Sequence, residues 1–207
     1  MRNFNKKQHL PERSPGRVLR NEMRENPSRR WGEEREDAEL QWEINKMGFF
    51  KKKEKEEPVK ELRAIVSGQV IPVSEVADPV FSSKALGDGI AIRPEGQVIT
   101  APCSGEISMV AETRHALGIT VNNGAELLLH IGLDTVSLGG EGFKVLDKQG
   151  KKVKQGDALL EFDKALVERK GLATDCILIV TNSDDLPGMK LVSGIDAVQN
   201  ETVVCTF

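Results

Sequence analysis

His115-Ala-Leu-Gly-Ile-Thr-Val-Asn-Asn-Gly-Ala-Glu-Leu-Leu-Leu-His130 is the stretch that decides the fold. Two strand-like apolar runs flank Asn122-Asn123-Gly124, and Asn-Gly is the strongest short hairpin signal because both residues tolerate positive φ. The segment is predicted to be a β-hairpin with a histidine at each end.

The same texture extends outward on both sides. From about Leu62 to Phe207, short β-branched runs are punctuated by Gly, Pro, Asn and Asp at intervals of roughly ten residues, the pattern of an all-β sandwich or barrel. Strands are predicted over Arg63–Val66, Gln69–Val73, Gly89–Arg93, Gln97–Thr100, Gly105–Ala111, His115–Val121, Glu126–Ile131, Phe143–Leu146, Ala158–Phe162, Cys176–Thr181 and Thr202–Cys205. One segment, Lys164–Lys170, reads clearly as a helix, with Asp163 as its N-cap and Gly171 as its stop. Pro72, Pro94 and Pro102 fall at strand ends or turns, where a missing donor costs little. The expected fold is mostly β: an antiparallel β-sandwich or barrel-like domain over 61–207 with one or two short helices.

Before it stands a different kind of sequence. Charged residues fill nearly half of positions 1–46, and Pro11, Pro15 and Pro27 interrupt any regular pattern. Such a segment buries too little surface to offset its ordering entropy. Residues 1–60 are therefore expected to be a disordered, charged extension and linker, with a short helix over Arg35–Lys46. Trp42, Leu40 and Ile44 would form a stripe on that helix at helical spacing. Met47 opens Met-Gly-Phe-Phe-Lys-Lys-Lys, which reads as a fresh protein start, so translation is expected to begin there.

Bulk properties exclude several classes of function. The chain has 207 residues and a formal net charge of -3, so it offers no basic footprint for nucleic acid or an anionic membrane surface. No run approaches the roughly 18 apolar residues of a spanning helix, and the first residues lack a secretory core; a soluble, cytoplasmic protein is expected. Cys103, Cys176 and Cys205 are widely separated, odd in number and set among Val, Ile and Thr, so they read as reduced, buried thiols.

Imidazole chemistry falls to His115 and His130, because His9 lies in the extension. With Asn123 and Gly124 as the central turn residues the two histidines become diagonal neighbours on one sheet face; with Asn122 and Asn123 central they stand opposite each other. A three-residue loop would shift the count by one and break that pairing. Alternation then adds Thr113, Gly132 and Asp134 to the same face. A neutral imidazole is a good nucleophile toward phosphorus, and a neighbouring imidazole and hydroxyl can bind the incoming phosphoryl oxygens. The bland alternative is a pair of half-buried sheet histidines. A zinc site is weaker, since the pair lacks a third well-placed ligand.

The segment Gly124-Ala-Glu-Leu-Leu-Leu-His130-Ile-Gly-Leu-Asp-Thr135-Val136 resembles the phosphorylation-site signature of the glucose-type enzyme IIA family of the bacterial sugar phosphotransferase system. Gly87-Asp-Gly-Ile-Ala-Ile92, Ala101-Pro102, Glu112-Thr-Arg-His-Ala116, Gly140-Glu-Gly-Phe143, Val153-Lys-Gln-Gly-Asp157 and Glu161-Phe-Asp163 also look like family landmarks, so the resemblance runs from about Ile65 to the C-terminus.

The resemblance implies a phosphoryl carrier. His130 would be phosphorylated through Nε2, His115 would contact the phosphoryl group, and Thr113 would supply a hydroxyl. The implied partners are a histidine phosphocarrier protein as donor and an enzyme IIB domain of a sugar permease, through its cysteine, as acceptor. Both would dock on a patch of Val80, Phe81, Leu117, Leu128 and Ile131 with Asp88 and Asp134 at its acidic rim. Ala111, Leu117 and Leu128 are aliphatic where enteric relatives often carry aromatic rings. No cofactor and no metal is implied for the isolated chain, and membrane association would be at most peripheral, through the permease.

Three other readings compete. A biotinyl or lipoyl carrier would need a modifiable lysine at a hairpin tip, which neither Lys164 nor Lys190 provides. A zinc endopeptidase on a related framework would need a His-X-His pair that is absent. A regulatory module that binds transporters or kinases according to its phosphorylation state is compatible with the carrier reading.

Overall fold

In the computed structural model, which describes Glu57–Phe207, the opening stretch forms two antiparallel strands. Their connection is a three-residue loop: the Val121 N–H donates to the Ala125 carbonyl at 2.9 Å, leaving Asn122, Asn123 and Gly124 outside the ladder. Gly124 adopts φ 92°, with open space where a Cβ would stand. Ala116, not His115 or Leu117, consequently stands opposite His130. The two-residue turn assumed from Asn-Gly is corrected, and with it the argument that strand alternation puts both histidines on one face.

The strands in chain order are β1 (Glu61–Arg63), β2 (Gly68–Pro72), β3 (Asp88–Pro94), β4 (Val98–Thr100), β5 (Gly105–Val110), β6 (Ala116–Thr120) and β7 (Glu126–Ile131). They continue as β8 (Phe143–Val145), β9 (Lys152–Val153), β10 (Ala158–Phe162), β11 (Cys176–Val180), β12 (Lys190–Leu191), β13 (Ile195–Ala197) and β14 (Val203–Thr206). Eight strands make one sheet in the order β13-β2-β3-β11-β7-β6-β5-β9. Two three-stranded sheets, β1-β14-β12 and β4-β10-β8, complete the mostly β, antiparallel architecture. Among the described residues the α-helices are α1 (Pro79–Ser82) and α2 (Lys164–Arg169).

The large sheet buries apolar side chains on both faces in its middle. Along β7, Leu127, Leu129 and Ile131 enter the main core with Leu62, Ile99, Leu160 and Val204 from the small sheets. Ile177 and Ile179 of β11 point the other way, into a second cluster with Ile71, Val73, Val76, Phe81, Ala91 and Leu133, against which Leu128 packs. All five residues of β11 are buried. Cys-Ile-Leu-Ile-Val is therefore an uninterrupted apolar run, because alternation disappears when both faces are covered.

Differences from the sequence reading have local causes. Arg63–Val66 is mostly not strand: Ala64 N–H bonds Thr202, while the Ile65 carbonyl accepts from Thr100. These buried residues thus satisfy their backbone through single bonds to a loop and to the end of β4 instead of a ladder. β9, β12 and β13 were not foreseen, being two or three residues long and partly made of lysine and aspartate. α2 carries the expected Asp163 cap, its carboxylate accepting from the Leu166 N–H at 2.9 Å.

All three cysteines are free and buried. Burial pushes the Cys103 thiol up to about 12, with Cys205 adding to the shift, so it carries no thiolate reactivity at neutral pH. The helix expected at Arg35–Lys46, the Trp42 stripe, the disorder of the extension and the start at Met47 lie outside the described residues.

Candidate functional site

α1 is a helix whose first residues announce it. Asp78 has extended backbone and its Oδ1 accepts from the Val80 N–H at 2.7 Å and the Phe81 N–H at 3.4 Å, while Pro79 occupies the first helical position. This is an N-cap followed by a residue whose missing donor costs nothing there. The sequence reading missed it, although Asp78-Pro79 carried the signal. The helix turns Phe81 under the sheet face, where its ring meets the His130 imidazole edge-on with centroids 4.9 Å apart.

On the other side of His130 stands His115, ring centroids 4.7 Å apart and planes at 84°. His115 is not in a strand: it closes the loop between β5 and β6, in which Arg114 takes φ 60° and its N–H bonds the Ala111 carbonyl. Its backbone still joins the ladder, accepting from the Ile131 N–H at 2.9 Å. The loop frees its side chain from alternation, and that is how the imidazoles meet despite the register. Thr113, in the same loop, places Oγ1 2.6 Å from the His115 Nδ1.

Past His130 the chain turns sharply. Gly132 has φ 75°, and a Cβ there would lie 2.4 Å from the Thr135 Cγ2 and 2.9 Å from the Ala173 carbonyl oxygen, so only glycine fits. Asp134 follows at φ 57° with an exposed side chain, and Thr135 is fully buried, its hydroxyl donating to the Ile131 carbonyl at 2.7 Å. The signature's Gly and Thr are thus explained by one tight turn.

The electrostatics favour a neutral ring. Desolvation, reinforced by His115, lowers the His130 pKa to about 4, against smaller upward contributions from the Gly132 backbone, Asp78 and Asp134. Burial also lowers the His115 pKa. The His130 Nδ1 is buried without a partner of regular hydrogen-bond geometry. The Gly132 backbone nevertheless acts on the ring as an acceptor would, favouring its protonated form. Both imidazoles are neutral at physiological pH, the form with a free nucleophilic nitrogen.

The other sequence-predicted residues divide into groups. Val80 is 50% exposed and Leu128 half-buried, both available beside His130. Leu117 and Ile131 are each 1% exposed and belong to the main core on the opposite face, so they are corrected from surface patch to interior. Phe81 is likewise buried, a support for His130 and not a docking surface. Asp88 is ion-paired with Lys84 at 2.9 Å. It sits across from Val180, whereas His130 is across from Ile177, which places Asp88 roughly 10 Å along and 10 Å across the sheet from the histidine. It does not share a rim with Asp134.

Met109 and Val136, 39% and 57% exposed, are apolar surface residues that sequence reasoning missed. Met109 is opposite Gly118, which is opposite Leu128, so a row lacking a central side chain runs beside His130. A register shift in β5 at Ile107–Met109 hides this from simple alternation. Among the described residues, no group of three or more histidine, cysteine or carboxylate side chains is placed to hold a metal ion.

Comparison with known proteins shows the family. Residues 60–186 match the family described as phosphoenolpyruvate-dependent sugar phosphotransferase system, EIIA 1. The chain is 39% identical over 156 residues to the PTS system glucose-specific EIIA component of Oceanobacillus iheyensis, covering 75% of this chain and 94% of the relative. It is 40% identical over 162 residues to that of Haemophilus influenzae, covering 76% and 97%. Among solved structures it is similar to the glucose permease IIA from Mycoplasma capricolum, with TM-score 0.62, 36% identity and coverage of 72% of this chain and 95% of that one. The chain belongs to the EIIA family of the phosphoenolpyruvate-dependent sugar phosphotransferase system, whose members take part in phosphoryl transfer during sugar uptake.

Proposed function

We propose that His130 is the phosphoryl acceptor, taking the group from a phosphohistidine of a small carrier protein and giving it to a cysteine of an enzyme IIB domain. The observation that carries this reading is the neutral His130 ring, held edge-on between Phe81 and His115 with Nδ1 buried. Burial of Nδ1 leaves Nε2 as the ring nitrogen open to a partner. Residues 61–207 form the working domain, and the partners meet it over Val80, Leu128 and Asp134. The cytoplasm is the proposed place of action; no helix among the described residues is long and apolar enough to cross a membrane.

In the first step the Nε2 lone pair forms a bond to phosphorus while the donor's N–P bond breaks, its electron pair returning to the donor imidazole. The proton on Nδ1 stays where it is, and the ring's added positive charge faces the Gly132 carbonyl. Once phosphorus is on Nε2, His115, held by Thr113, donates to a phosphoryl oxygen and orients the group for the second step. In the second step a thiolate sulfur bonds to phosphorus and the N–P electron pair returns to Nε2.

The test is incubation with phosphoenolpyruvate, enzyme I and the histidine phosphocarrier, followed by assay for an acid-labile phosphoryl group. His130→Ala is expected to lose labelling, and unchanged labelling would overturn the assignment. His115→Ala is expected to accept phosphate yet pass it on poorly.

A further inference from the structure

We propose that Thr135 is a positioning residue for His130: its buried hydroxyl fixes the turn that holds the Gly132 carbonyl toward Nδ1, and so sets which ring nitrogen carries the proton. This rests on the reading of His130 as the phosphoryl acceptor.

Both branches of the Thr135 side chain are committed. The hydroxyl donates to the Ile131 carbonyl at 2.7 Å, an oxygen one peptide removed from His130. The methyl lies against the Gly132 Cα, in the space where a Cβ on that residue would come within 2.4 Å of it. Outside the turn, Gly132 N–H donates to Asp175 at 2.9 Å and Leu133 N–H to Ala173 at 3.0 Å. The Gly132 peptide is therefore clamped from the β11 side by backbone bonds and from within by one side chain.

That clamp matters because of what lies next to it. The His130 Nδ1 is buried, without a partner of regular geometry, and the Gly132 backbone is the largest influence favouring a proton on the ring. A small rotation of the Gly132 peptide therefore decides whether Nδ1 faces an acceptor. If it does, the neutral ring keeps its proton inside and leaves Nε2 unprotonated. If it does not, the proton is free to move to Nε2 and the nucleophile is lost. Which nitrogen is protonated is set by the hydrogen bond the other makes. A residue that makes no contact with the phosphoryl group thereby decides the competence of the one that does.

The test pairs Thr135→Val, which keeps the shape and loses the hydroxyl, with Thr135→Ser, which keeps the hydroxyl. The readouts are the His130 tautomer by 15N NMR, thermal unfolding, and the rate of phosphoryl uptake from the phosphorylated histidine phosphocarrier. Thr135→Val is expected to shift the ring toward the Nε2–H form and slow uptake about tenfold to a hundredfold, whereas Thr135→Ser stays within roughly threefold of the parent. An Nδ1–H ring and parent rate in a folded Thr135→Val would overturn the proposal. So would equal losses in both variants with an unchanged tautomer, which would mark a packing role only. Should Thr135→Val fail to fold, Thr135→Ser against Thr135→Ala isolates the hydroxyl in a smaller side chain, with the same outcomes deciding. Failure of the parent to label at His130 would refute the acceptor assignment, while the tautomer comparison would still judge Thr135.

Discussion

The imidazoles of His115 and His130 meet edge-on with centroids 4.7 Å apart, although Ala116, not His115, stands opposite His130 in the ladder. Their contact is made by the loop that leads from β5 into β6, within which Thr113 holds the His115 ring.

Thr113→Val removes the hydroxyl that fixes the His115 Nδ1. A hydrogen bond of this kind contributes about 1 kcal/mol net to stability, so the fold should persist. Phosphoryl uptake by His130 should change little, while onward transfer to the enzyme IIB domain should fall by roughly tenfold or more as His115 loses orientation. Rapid-quench measurement of the two half-reactions separates them; equal effects on both would argue against the assigned role.

Phe81 is 5% exposed and packs directly on His130. Phe81→Ala should cost about 3–5 kcal/mol by the usual cavity and transfer terms. It should also admit water to the ring, so the His130 pKa moves up from about 4 toward its ordinary value of 6.5. Urea unfolding checks the first effect and NMR titration of the imidazole the second. A pKa that stays put would mean Phe81 is not the source of the desolvation.

His130 also predicts how stability depends on pH. Its folded pKa lies below the unfolded value, so the unfolded chain binds the proton first as pH falls. The contribution of this ring is fully present above about pH 6.5, declines as pH drops toward 4, and is flat below that. The loss is on the order of 3 kcal/mol at about 1.4 kcal/mol per unit. Carboxylates titrate in the lower part of the window, so the measurement is the difference between the parent and His130→Gln. A difference independent of pH would show that the ring is not desolvated.

Much of this was legible in the sequence for definite reasons. β7 and α2 were placed within a residue or so because alternating or capped segments bounded by Asn-Gly and Asp163 leave little choice. The pairing of the histidines was anticipated from a two-residue turn that does not exist. One extra loop residue inverts every facing relation along a strand, and the loop conformation that restores the contact depends on Arg114 at positive φ, which nothing in its residue type announces. Leu117 and Ile131 were placed on the surface because an apolar residue near a site looks the same whether it faces a partner or the core. α1 was hidden by its length, four residues leaving no periodicity to read.

β11 lies between β3 and β7, bonded to both and buried on each face, and its Ile177 is the partner of His130. Amides in such a strand exchange with solvent only when the whole domain opens, whereas those of hairpin loops exchange by local opening. The two imidazoles are thus anchored to units of different lifetime: one is bolted to the last element to come apart, and the other rides on a loop free to open alone. On the proposed reading, the acceptor ring is stationary and its companion is able to follow the phosphoryl group as it arrives and leaves.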